Sequence, residues 1–359
     1  MAKIYINGKF LGAGLNGVHR TAAHYASLLI EHGRAAGHDV TLLSPRETPA
    51  DPAFPLLKPV VRPGLFGTGQ GWEMLTLPRL SRDGLLVNFC NLGPLLHGNS
   101  VVMIHDAQTF LFPQDYTGRQ AKAYRALLPW IARRARRVLT VSAFSRVSLL
   151  DHGVGKAGKI TVIHNGTDHI LDTKPDPDIL KTWGLDNQQF VMVLGSAKRY
   201  KNMRRVFDAM TNARIDVPLV VAGGAPEHVY REQGDIPPDG TIFTGFVSDA
   251  QLRALLSAAT VFAFPSQTEG FGLPPVEAMQ CGTAVVAAHA GAIPEVCGEG
   301  AILADPDDTA QWEAAIVTLL NDHKSRESQI AKGTQRAQTL SWAAAGQKLW
   351  SDIEPLLEA

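Results

Sequence analysis

Short apolar runs alternate with longer amphipathic stretches along this chain of 359 residues. Apolar runs of this length are typical of buried strands, and residues 18–33 and 120–137 have the apolar spacing of helices. The alternation predicts a doubly wound α/β fold with parallel sheets. The predicted strands form two series, at residues 3–6, 40–43, 85–88, 101–104, 138–141 and 160–163, and at residues 190–194, 219–222, 241–243, 261–263, 284–287 and 301–303.

A polar, proline-containing segment, residues 167–178, separates the two series. The chain is long enough for two ordinary globular domains, so this segment is the predicted boundary between them. Open α/β sheets bind ligands beyond the carboxyl ends of their strands, and two similar halves imply a cleft that holds a ligand.

The charge balance of the chain excludes a general nucleic-acid-binding protein. Lys and Arg number 34, and so do Asp and Glu, whereas nucleic-acid-binding domains are usually basic. Cys90, Cys281 and Cys297 lack metal-ligand spacing and cannot all pair, which favours a reducing compartment. The sequence begins directly with a predicted strand and contains no run of about twenty apolar residues. A cytoplasmic protein is therefore expected.

The most informative local sequence is PSQTEGFGLPPVEAMQCG, residues 265–282. A glycine turn at residues 270–272 is followed by Leu-Pro-Pro at residues 273–275, and proline favours the first turn of a helix. The N–H groups of such a turn attract phosphate. Glu269 and Glu277, eight positions apart, would flank the phosphate and accept hydrogen bonds from hydroxyls. A ligand with phosphate between two hydroxyl-rich groups is a sugar nucleotide.

This run resembles the E-x7-E signature of the retaining glycosyltransferases of family 4, whose two-domain fold is called GT-B. Four further segments resemble motifs of that family in the same order, so that the resemblance covers nearly the whole chain. They are Ile104-His105-Asp106, the strand end at residues 141–146, the interdomain segment 163–168, and the phosphate loop 194–202. His164 replaces the proline that the family has in its interdomain segment.

The resemblance implies the GT-B arrangement of two Rossmann-like doubly wound domains that face a cleft. It also implies a C-terminal helix that crosses back to the N-terminal domain. The predicted division is an acceptor-binding domain over residues 1–168, a linker over 169–185, a donor-nucleotide domain over 186–340 and the crossing helix over 341–359.

The resemblance assigns catalytic roles to His105, Lys201 and Glu269. Negative charge grows on the diphosphate as it leaves, and Lys201 is the cation expected to stabilise that charge. His105 is expected to hydrogen-bond a hydroxyl of the transferred sugar, and Glu269 is expected to hold hydroxyls on the opposite edge. The alternative for His105 is a buried packing residue.

Other donor contacts are predicted around the nucleotide and its phosphates. Glu277 is expected to hold the ribose, and residues 245–247 are expected to lie near the base. Members of the family usually carry an arginine where this chain has Ser196, so that phosphate contact would pass to Arg199 or Lys198 or would be lost. The full predicted donor set is Gly14, Gly17, Arg20, Ser196, Arg199, Lys201, Phe246, Val247, Phe271, Gly272, Leu273 and Glu277.

Two other classes of protein stay open. Residues 12–17 have the pattern G-x-G-x-x-G after the first strand, which is typical of NAD-dependent oxidoreductases. That class needs an acidic residue at the end of the second strand, where the sequence is Ser44-Pro45-Arg46. In the family interpretation this loop covers the donor diphosphate, and Arg20 is a further cation. A non-catalytic sugar-nucleotide sensor would keep Glu277 and could dispense with His105.

The resemblance implies a metal-independent hexosyltransferase that retains the α configuration of its donor. No carboxylate is placed as the nucleophile of a double displacement, and the leaving phosphate itself is expected to take the proton of the acceptor. No metal and no cofactor are expected. GDP-mannose is favoured over UDP-glucose, because residues 7–20 and the pair Lys201-Asn202 most resemble mannosyltransferases.

The predicted acceptor is a glycan or a polyprenol-linked oligosaccharide, as in many members of the family. An apolar run at residues 127–131 precedes four arginines, and such a helix favours contact with anionic lipid. The sequence thus predicts peripheral association with the inner face of the cytoplasmic membrane. The alternative is a solvated helix end that favours its own carbonyl dipole. The arginines are Arg133, Arg134, Arg136 and Arg137.

Overall fold

The computed structural model describes residues 1–13, 17–64 and 66–358. The chain divides into two compact units. Unit 1 comprises Met1–Asn165 together with Trp342–Ala359, and unit 2 comprises Gly166–Ser341. Residues 169–185, predicted as a linker, lie in unit 2 and include two short helices.

Unit 1 is built on a parallel sheet whose order, within the described residues, is β3-β2-β1-β4-β5-β6-β7. The six strands predicted for this half are confirmed to within two residues at each end. β3 was not predicted, because it has only two residues and no apolar run around it. The strands are β1 (Lys3–Asn7), β2 (Asp39–Ser44), β3 (Val60–Val61), β4 (Leu85–Asn88), β5 (Ser100–Met103), β6 (Arg137–Thr140) and β7 (Ile160–Val162).

Helices cover the sheet of unit 1, so every residue of β4 and β5 is buried. Thr117 and Gln120 form a capping box that starts the longest helix after the first. That helix ends at Arg134, so the prediction that it continues to residue 137 was wrong: Arg137 begins β6. The helices are α1 (Gly17–Ala35), α2 (Leu77–Leu80), α3 (Gln108–Leu111), α4 (Gly118–Arg134) and α5 (Ala143–Asp151).

Unit 2 repeats the same architecture, with the strand order β10-β9-β8-β11-β12-β13 in the part described. All strands of both sheets pair in parallel where their registers are described, and the doubly wound α/β prediction is confirmed. The strands are β8 (Val191–Leu194), β9 (Leu219–Ala222), β10 (Ile242–Gly245), β11 (Val261–Phe264), β12 (Ala284–Ala288) and β13 (Ile302–Ala304).

The helices of unit 2 bury an apolar core that includes Phe207 and Trp312, both inaccessible to solvent. They are α6 (His169–Asp172), α7 (Asp178–Thr182), α8 (Met203–Asn212), α9 (Glu227–Glu232), α10 (Asp249–Ala258), α11 (Leu273–Gln280), α12 (Ile293–Cys297), α13 (Thr309–Asn321) and α14 (His323–Gln338).

The last helix, α15 (Trp342–Ile353), belongs to unit 1 and packs against α1. The ring of Trp342 stacks on His24 with 4.2 Å between the ring centroids. Gly346 allows the close approach of the two helices, because a Cβ there would lie 2.9 Å from the Leu28 side chain. The predicted return of the C-terminal helix to the first domain is confirmed.

Candidate active site

The strand order places one ligand-binding edge in each unit. In unit 2 the chain fills the sheet outward from β8 in both directions, so that β8 and β11 are neighbours with diverging connections. Ligands of such sheets bind beyond the carboxyl ends of the strands at this switch point. The loop 195–202 follows β8 and the loop 265–272 follows β11, so both predicted donor motifs of unit 2 come to the same edge.

Lys201 and Glu269 make direct contact at this edge. Lys201 Nζ lies 2.5 Å from Glu269 Oε1, and their side chains are 24% and 13% exposed. The Lys201 ammonium also lies 5.4 Å from the ring centroids of Tyr200 and Phe264. The backbone joins the two loops as well, because Gln267 N donates to Tyr200 O over 2.7 Å. Two residues 68 positions apart are thus brought together, with a cation at the centre of the edge.

The glycine turn after Glu269 leads directly into α11. Gly272 has a φ of 88°, and Pro274 and Pro275 lie in the first turn of the helix, so the sequence places its N-terminus as predicted. Leu273 opens the helix, whose first N–H groups lack helical partners and can bind an anion. Phe271 is buried, so its predicted donor contact would come from its backbone.

Glu277 projects from α11 toward the first residue of α6. Its Oε1 lies 3.2 Å from His169 Nε2, and the two side chains are 12% and 10% exposed. Gln280, one turn later, donates to Ala337 O over 3.1 Å and lies 3.4 Å from Thr167 Oγ1. Glu277 is therefore a partly buried carboxylate with a fixed partner, which differs from a solvated helix glutamate. The sequence analysis did not identify His169.

The loop after β8 approaches its neighbours through glycines. A Cβ on Gly195 would lie 2.5 Å from Gly223 O, so only glycine fits there. Ser196 is partly buried, and Arg199 is exposed at the start of a short 3-10 turn that ends at Lys201. The exposed Lys198 has its ammonium 5.5 Å from the Tyr200 ring. Both candidates for the second phosphate contact are therefore exposed at the edge of the site.

Phe246 follows β10 with 93% of its surface exposed, and the adjacent Val247 is partly buried. An exposed aromatic ring at a strand end offers a surface on which a base can stack.

His105 follows β5 in unit 1 and is 6% exposed. Its Nε2 lies 2.8 Å from Phe89 O, and its backbone N donates to Asn91 Oδ1 over 2.8 Å. Burial lowers the pKa of His105 to about 4, so the imidazole is neutral at pH 7. The hydroxyl of Ser145, in the predicted strand-end motif at residues 141–146, donates to His105 O over 2.9 Å. Two predicted family motifs are thus joined by a hydrogen bond.

The G-x-G-x-x-G segment is described only in part. Gly14 lies outside the described residues, Gly17 begins α1, and Arg20 is partly buried in its first turn. Where a nicotinamide site needs an acidic group, the guanidinium of Arg46 donates to Gly12 O. A cation therefore occupies the position of the expected ribose-binding carboxylate.

A small cavity in unit 1 was not predicted. It has a volume of about 220 Å³ and lies beyond β1 and β4, the strands at the switch point of this sheet. Among its walls is Glu73, a carboxylate whose side chain is only 3% exposed and which pairs with Lys9. The signal that was overlooked is a glutamate flanked by Trp72 and Met74 in an apolar stretch.

Two of the four arginines predicted to face lipid are held within unit 1. Arg136 Nη1 donates to Asn99 Oδ1 and to Leu356 O, and Arg137 Nε lies 3.8 Å from Asp352 Oδ2. Arg133 and Arg134 are exposed at the end of α4. Within the described residues, no helix is both long enough and apolar enough to cross a bilayer.

The chain contains two Asp-x-Asp sequences, at residues 176–178 and 305–307. In each, the first carboxylate accepts a hydrogen bond from the backbone N–H of the second aspartate, at 3.2 and 2.8 Å. Both sequences therefore form local turns.

Comparison with known proteins agrees with this geometry. Residues 176–336 match the family described as Glycosyl transferases group 1, and residues 16–170 match Glycosyltransferase Family 4. O-antigen chain mannosyltransferase B of Escherichia coli is 31% identical over 256 residues, which are 68% of this chain and 67% of that protein. O-antigen chain mannosyltransferase RfbU of Salmonella typhimurium is 27% identical over 230 residues, 63% of this chain and 62% of that protein.

The chain thus spans about two thirds of the length of these two relatives. Among solved structures, HepE of Anabaena in complex with UDP-glucose superposes with a TM-score of 0.73 at 20% identity, over 99% of this chain and all of that one. At that identity the likeness shows the fold, and the sequence matches show the family. With its two parallel-sheet units and returning C-terminal helix, the chain belongs to glycosyltransferase family 4 and has the GT-B fold.

Proposed function

We propose that this chain transfers a hexose, with mannose favoured, from a nucleotide-diphosphate sugar to a glycan or lipid-linked oligosaccharide. The observation that carries the proposal is the contact of Lys201 with Glu269 beside the N-terminus of α11. This edge of unit 2 combines a desolvated cation, a carboxylate and helix N–H groups, which together suit a diphosphate attached to a sugar.

The mechanism follows from where negative charge develops. When the bond between the anomeric carbon and the diphosphate breaks, charge grows on the leaving phosphate, and fixed donors aimed at it lower the barrier. Lys201 and the first N–H groups of α11, at Gly272 and Leu273, supply that stabilisation, so protein groups take the place of a divalent metal. The leaving phosphate accepts the proton of the incoming hydroxyl on the same face of the sugar, which retains the α configuration.

The two glutamates bind different hydroxyl groups of the donor. Glu269, already in contact with Lys201, accepts hydrogen bonds from the transferred sugar, and Glu277 accepts them from the ribose. His105 is neutral at pH 7 because burial lowers its pKa to about 4. It hydrogen-bonds a hydroxyl of the transferred sugar without adding charge beside a developing cationic centre.

The relatives favour mannose as the transferred sugar. Two of them are named for mannosyl transfer to the O-antigen chain, which supports GDP-mannose as the donor and a glycan as the acceptor. The solved structure of HepE with UDP-glucose supports the alternative donor. Phe246 can stack on either base.

Peripheral membrane contact is the second part of the proposal, and α4 supports it. Trp130 is 49% exposed on this helix, and its Nε1 donates to Leu95 O. The adjacent Leu96 is 72% exposed. The helix contains no Asp or Glu, and Arg133 and Arg134 are exposed at its end. Exposed aromatic and basic groups together are typical of helices that lie at anionic lipid surfaces.

Vesicle sedimentation tests the membrane contact. Wild type should bind vesicles that contain phosphatidylglycerol and should not bind vesicles of phosphatidylcholine. Trp130→Ala should weaken the binding to phosphatidylglycerol vesicles. Trp183→Ala, an exposed tryptophan of unit 2, is the matched control. Equal binding of both variants would contradict a role for α4.

Calorimetric titration with GDP-mannose, UDP-glucose, UDP-N-acetylglucosamine and NAD, with and without a chelator, tests the donor. We expect one sugar nucleotide to bind, with a dissociation constant that the chelator leaves unchanged, and Glu269→Ala to weaken that binding. Binding of NAD alone would contradict the proposal. Release of the nucleoside diphosphate on addition of a glycan, with an α-linked product seen by NMR, separates a transferase from a sensor.

A further inference from the structure

We propose that the small cavity of unit 1 binds a neutral sugar ring of the acceptor through the partly buried ion pair of Lys9 and Glu73. The inference rests on the proposed function, because a transferase must hold a second substrate. The walls of the cavity include the aromatic residues Phe10, Phe89 and Tyr124.

The cavity lies where the topology of unit 1 favours a ligand. Asn7 ends β1 and Asn88 ends β4, and the strand order reverses between these two neighbours. Ligands of doubly wound sheets bind beyond the strand ends at this point. Phe89 connects the cavity to His105, because Phe89 lies in the cavity wall and its carbonyl oxygen lies 2.8 Å from His105 Nε2. The cavity therefore adjoins the residue proposed to contact the transferred sugar.

Polar groups are held in fixed positions in the cavity wall. Glu73 Oε1 accepts a hydrogen bond from Asn7 Nδ2 over 2.7 Å, and Glu73 Oε2 pairs with the ammonium of Lys9. Asn7 Nδ2 also donates to Asn88 Oδ1 over 3.0 Å. An ionised carboxylate has about four acceptor positions. Asn7 takes one position on Oε1, and Lys9 and the amide nitrogen of Gln70, 3.0 Å away, take the two positions on Oε2. One position on Oε1 therefore remains for a ligand hydroxyl.

The carboxylate of Glu73 is the buried member of the ion pair, with 3% of its side chain exposed against 24% for Lys9. Burial of a charge is costly even when it is paired, and apolar replacements of buried pairs are often neutral or stabilising. The neighbouring core of this part of unit 1 is apolar, with Leu43, Trp72, Leu77 and Leu86 packed together. A buried Glu73 that faces a cavity is therefore better explained by a ligand than by packing.

The charge of the cavity selects a neutral ligand. Lys9 and Glu73 compensate each other, and burial raises the pKa of the Cys90 thiol to about 12, so Cys90 adds no charge at pH 7. Burial, followed by the charge of Glu73, also raises the pKa of Tyr124 above its ordinary value, which keeps the phenol neutral. The ion pair thus offers no uncompensated charge to a phosphate or an amine, and His19 is the further titratable residue in the cavity wall.

The shape and the walls of the cavity favour a sugar ring. The carboxylate, the ammonium and the amide of Asn7 can accept from and donate to hydroxyls, while the aromatic walls can cover the C–H face of a ring. The volume of about 220 Å³ is below the range of about 300–1,000 Å³ usual for drug-sized ligands. It therefore suits one sugar residue better than a nucleotide.

Ligand-observed NMR with four probes tests the inference: the methyl α-glycosides of mannose, glucose, galactose and N-acetylglucosamine. We expect wild type to bind at least one probe saturably, and Glu73→Gln and Lys9→Met to weaken that binding by at least about tenfold, the effect of losing one charged hydrogen bond. Calorimetry in the same samples should show that nucleotide binding is unchanged. Lys3→Met is the matched control, because the Lys3–Asp83 pair of the same unit is exposed, at 48% on each side.

The outcomes separate the two proposals. If wild type binds a sugar nucleotide but none of the glycosides, or if both variants bind a glycoside as tightly as wild type does, the cavity is not an acceptor site. If wild type binds no sugar nucleotide, the proposed function itself fails. Should Glu73→Gln not fold, Lys9→Met and Tyr124→Ala answer the same question, because the folded state of each can be checked by circular dichroism.

Discussion

Lys201 is positioned before any donor arrives. It contacts Glu269 and lies over two aromatic rings, and its side chain is largely removed from solvent. A charge that is already fixed and desolvated stabilises a developing phosphate charge more strongly than a mobile solvated one, because neither water nor the side chain has to reorganise. Lys181, in the same unit, also pairs with a carboxylate, that of Asp178, but its side chain is 68% exposed.

We therefore expect Lys201→Met to lower kcat by about 10²–10³-fold, the usual cost of losing one preorganised donor. The dissociation constant of the donor should change less than kcat, since the diphosphate is already charged when it binds and gains further negative charge only in the transition state. Single-turnover kinetics and calorimetry measure the two effects separately. Lys181→Met is the control, because it removes an exposed lysine–carboxylate pair of the same unit, and an equal loss of kcat in that variant would contradict a special role for Lys201.

His105 makes the stability of unit 1 depend on pH. Its pKa is lowered by burial from 6.5 to about 4, so between these values the unfolded chain binds a proton that the folded chain does not. The stabilisation is complete above pH 6.5 and is lost as the pH falls toward 4, by up to about 3 kcal/mol at 1.36 kcal/mol per pKa unit. Urea unfolding from pH 7 to pH 4.5 should show a steeper loss for wild type than for His105→Gln. Parallel curves would contradict this assignment.

Helix α11 depends on glycine at both of its ends, and for different reasons. Gly272 precedes it at a φ of 88° and Gly282 follows it at a φ of 77°. A Cβ on Gly272 would lie 2.3 Å from Ile293 Cδ1, whereas one on Gly282 would meet nothing within 4 Å. The first glycine is required by packing and by the left-handed backbone, and the second only by the backbone.

Alanine at these two positions should therefore have unequal effects. Gly282→Ala should cost about 1–2 kcal/mol, the strain of a left-handed residue. Gly272→Ala should lower the free energy of unfolding by a further amount of about 1–3 kcal/mol, because of overpacking. It should also weaken donor binding, because it displaces the N-terminus of α11. Urea unfolding and calorimetry measure both effects. Equal donor affinity in the two variants would show that this terminus does not bind phosphate.

Helix α6 positions Glu277 through its first residue, His169, whose Nε2 lies 3.2 Å from Glu277 Oε1. A ribose that hydrogen-bonds to a carboxylate should be preferred over a 2′-deoxyribose, and a glutamate without its partner should lose part of that preference. We expect His169→Phe to reduce the ratio of affinities for the nucleoside diphosphate and its 2′-deoxy form, measured by calorimetry. His323→Phe is the control, because His323 forms a similar but exposed contact with Glu327 at 3.5 Å. An unchanged ratio in His169→Phe would mean that Glu277 does not depend on this contact.

For the molecule as a whole, the C-terminal helix completes a unit that the first 165 residues begin. Trp342 is 7% exposed and meets both His24 and Tyr25 of α1. Removal of a buried tryptophan usually costs about 3–5 kcal/mol. Trp342→Ala should thus lower the protection of unit 1 in hydrogen exchange read by mass spectrometry, while the peptides of unit 2 keep theirs. Trp183→Ala, at a site that is 37% exposed, should leave the hydrogen-exchange protection of both units unchanged.

The sequence alone predicted most of the elements, because their causes are local. Apolar periodicity located twelve strands, and the Leu-Pro-Pro and glycine signals located α11. Its family motifs also identified the residues that meet at the edge of unit 2. Two local errors had local causes: β3 is too short to show a pattern, and Arg137 has the charge of a helix end although it begins a strand.

What the sequence did not reveal are contacts between residues far apart in the chain. Glu73 meets Asn7 over 66 positions, and His169 meets Glu277 over 108. The apolar neighbours of Glu73 indicate that it is buried, but they do not indicate its partner. Spacing along one strand or helix determines which face a side chain takes, and the sequence states that spacing directly. Which side chains share a cavity depends on strand order and on packing around it, and those are decided only when the whole unit folds.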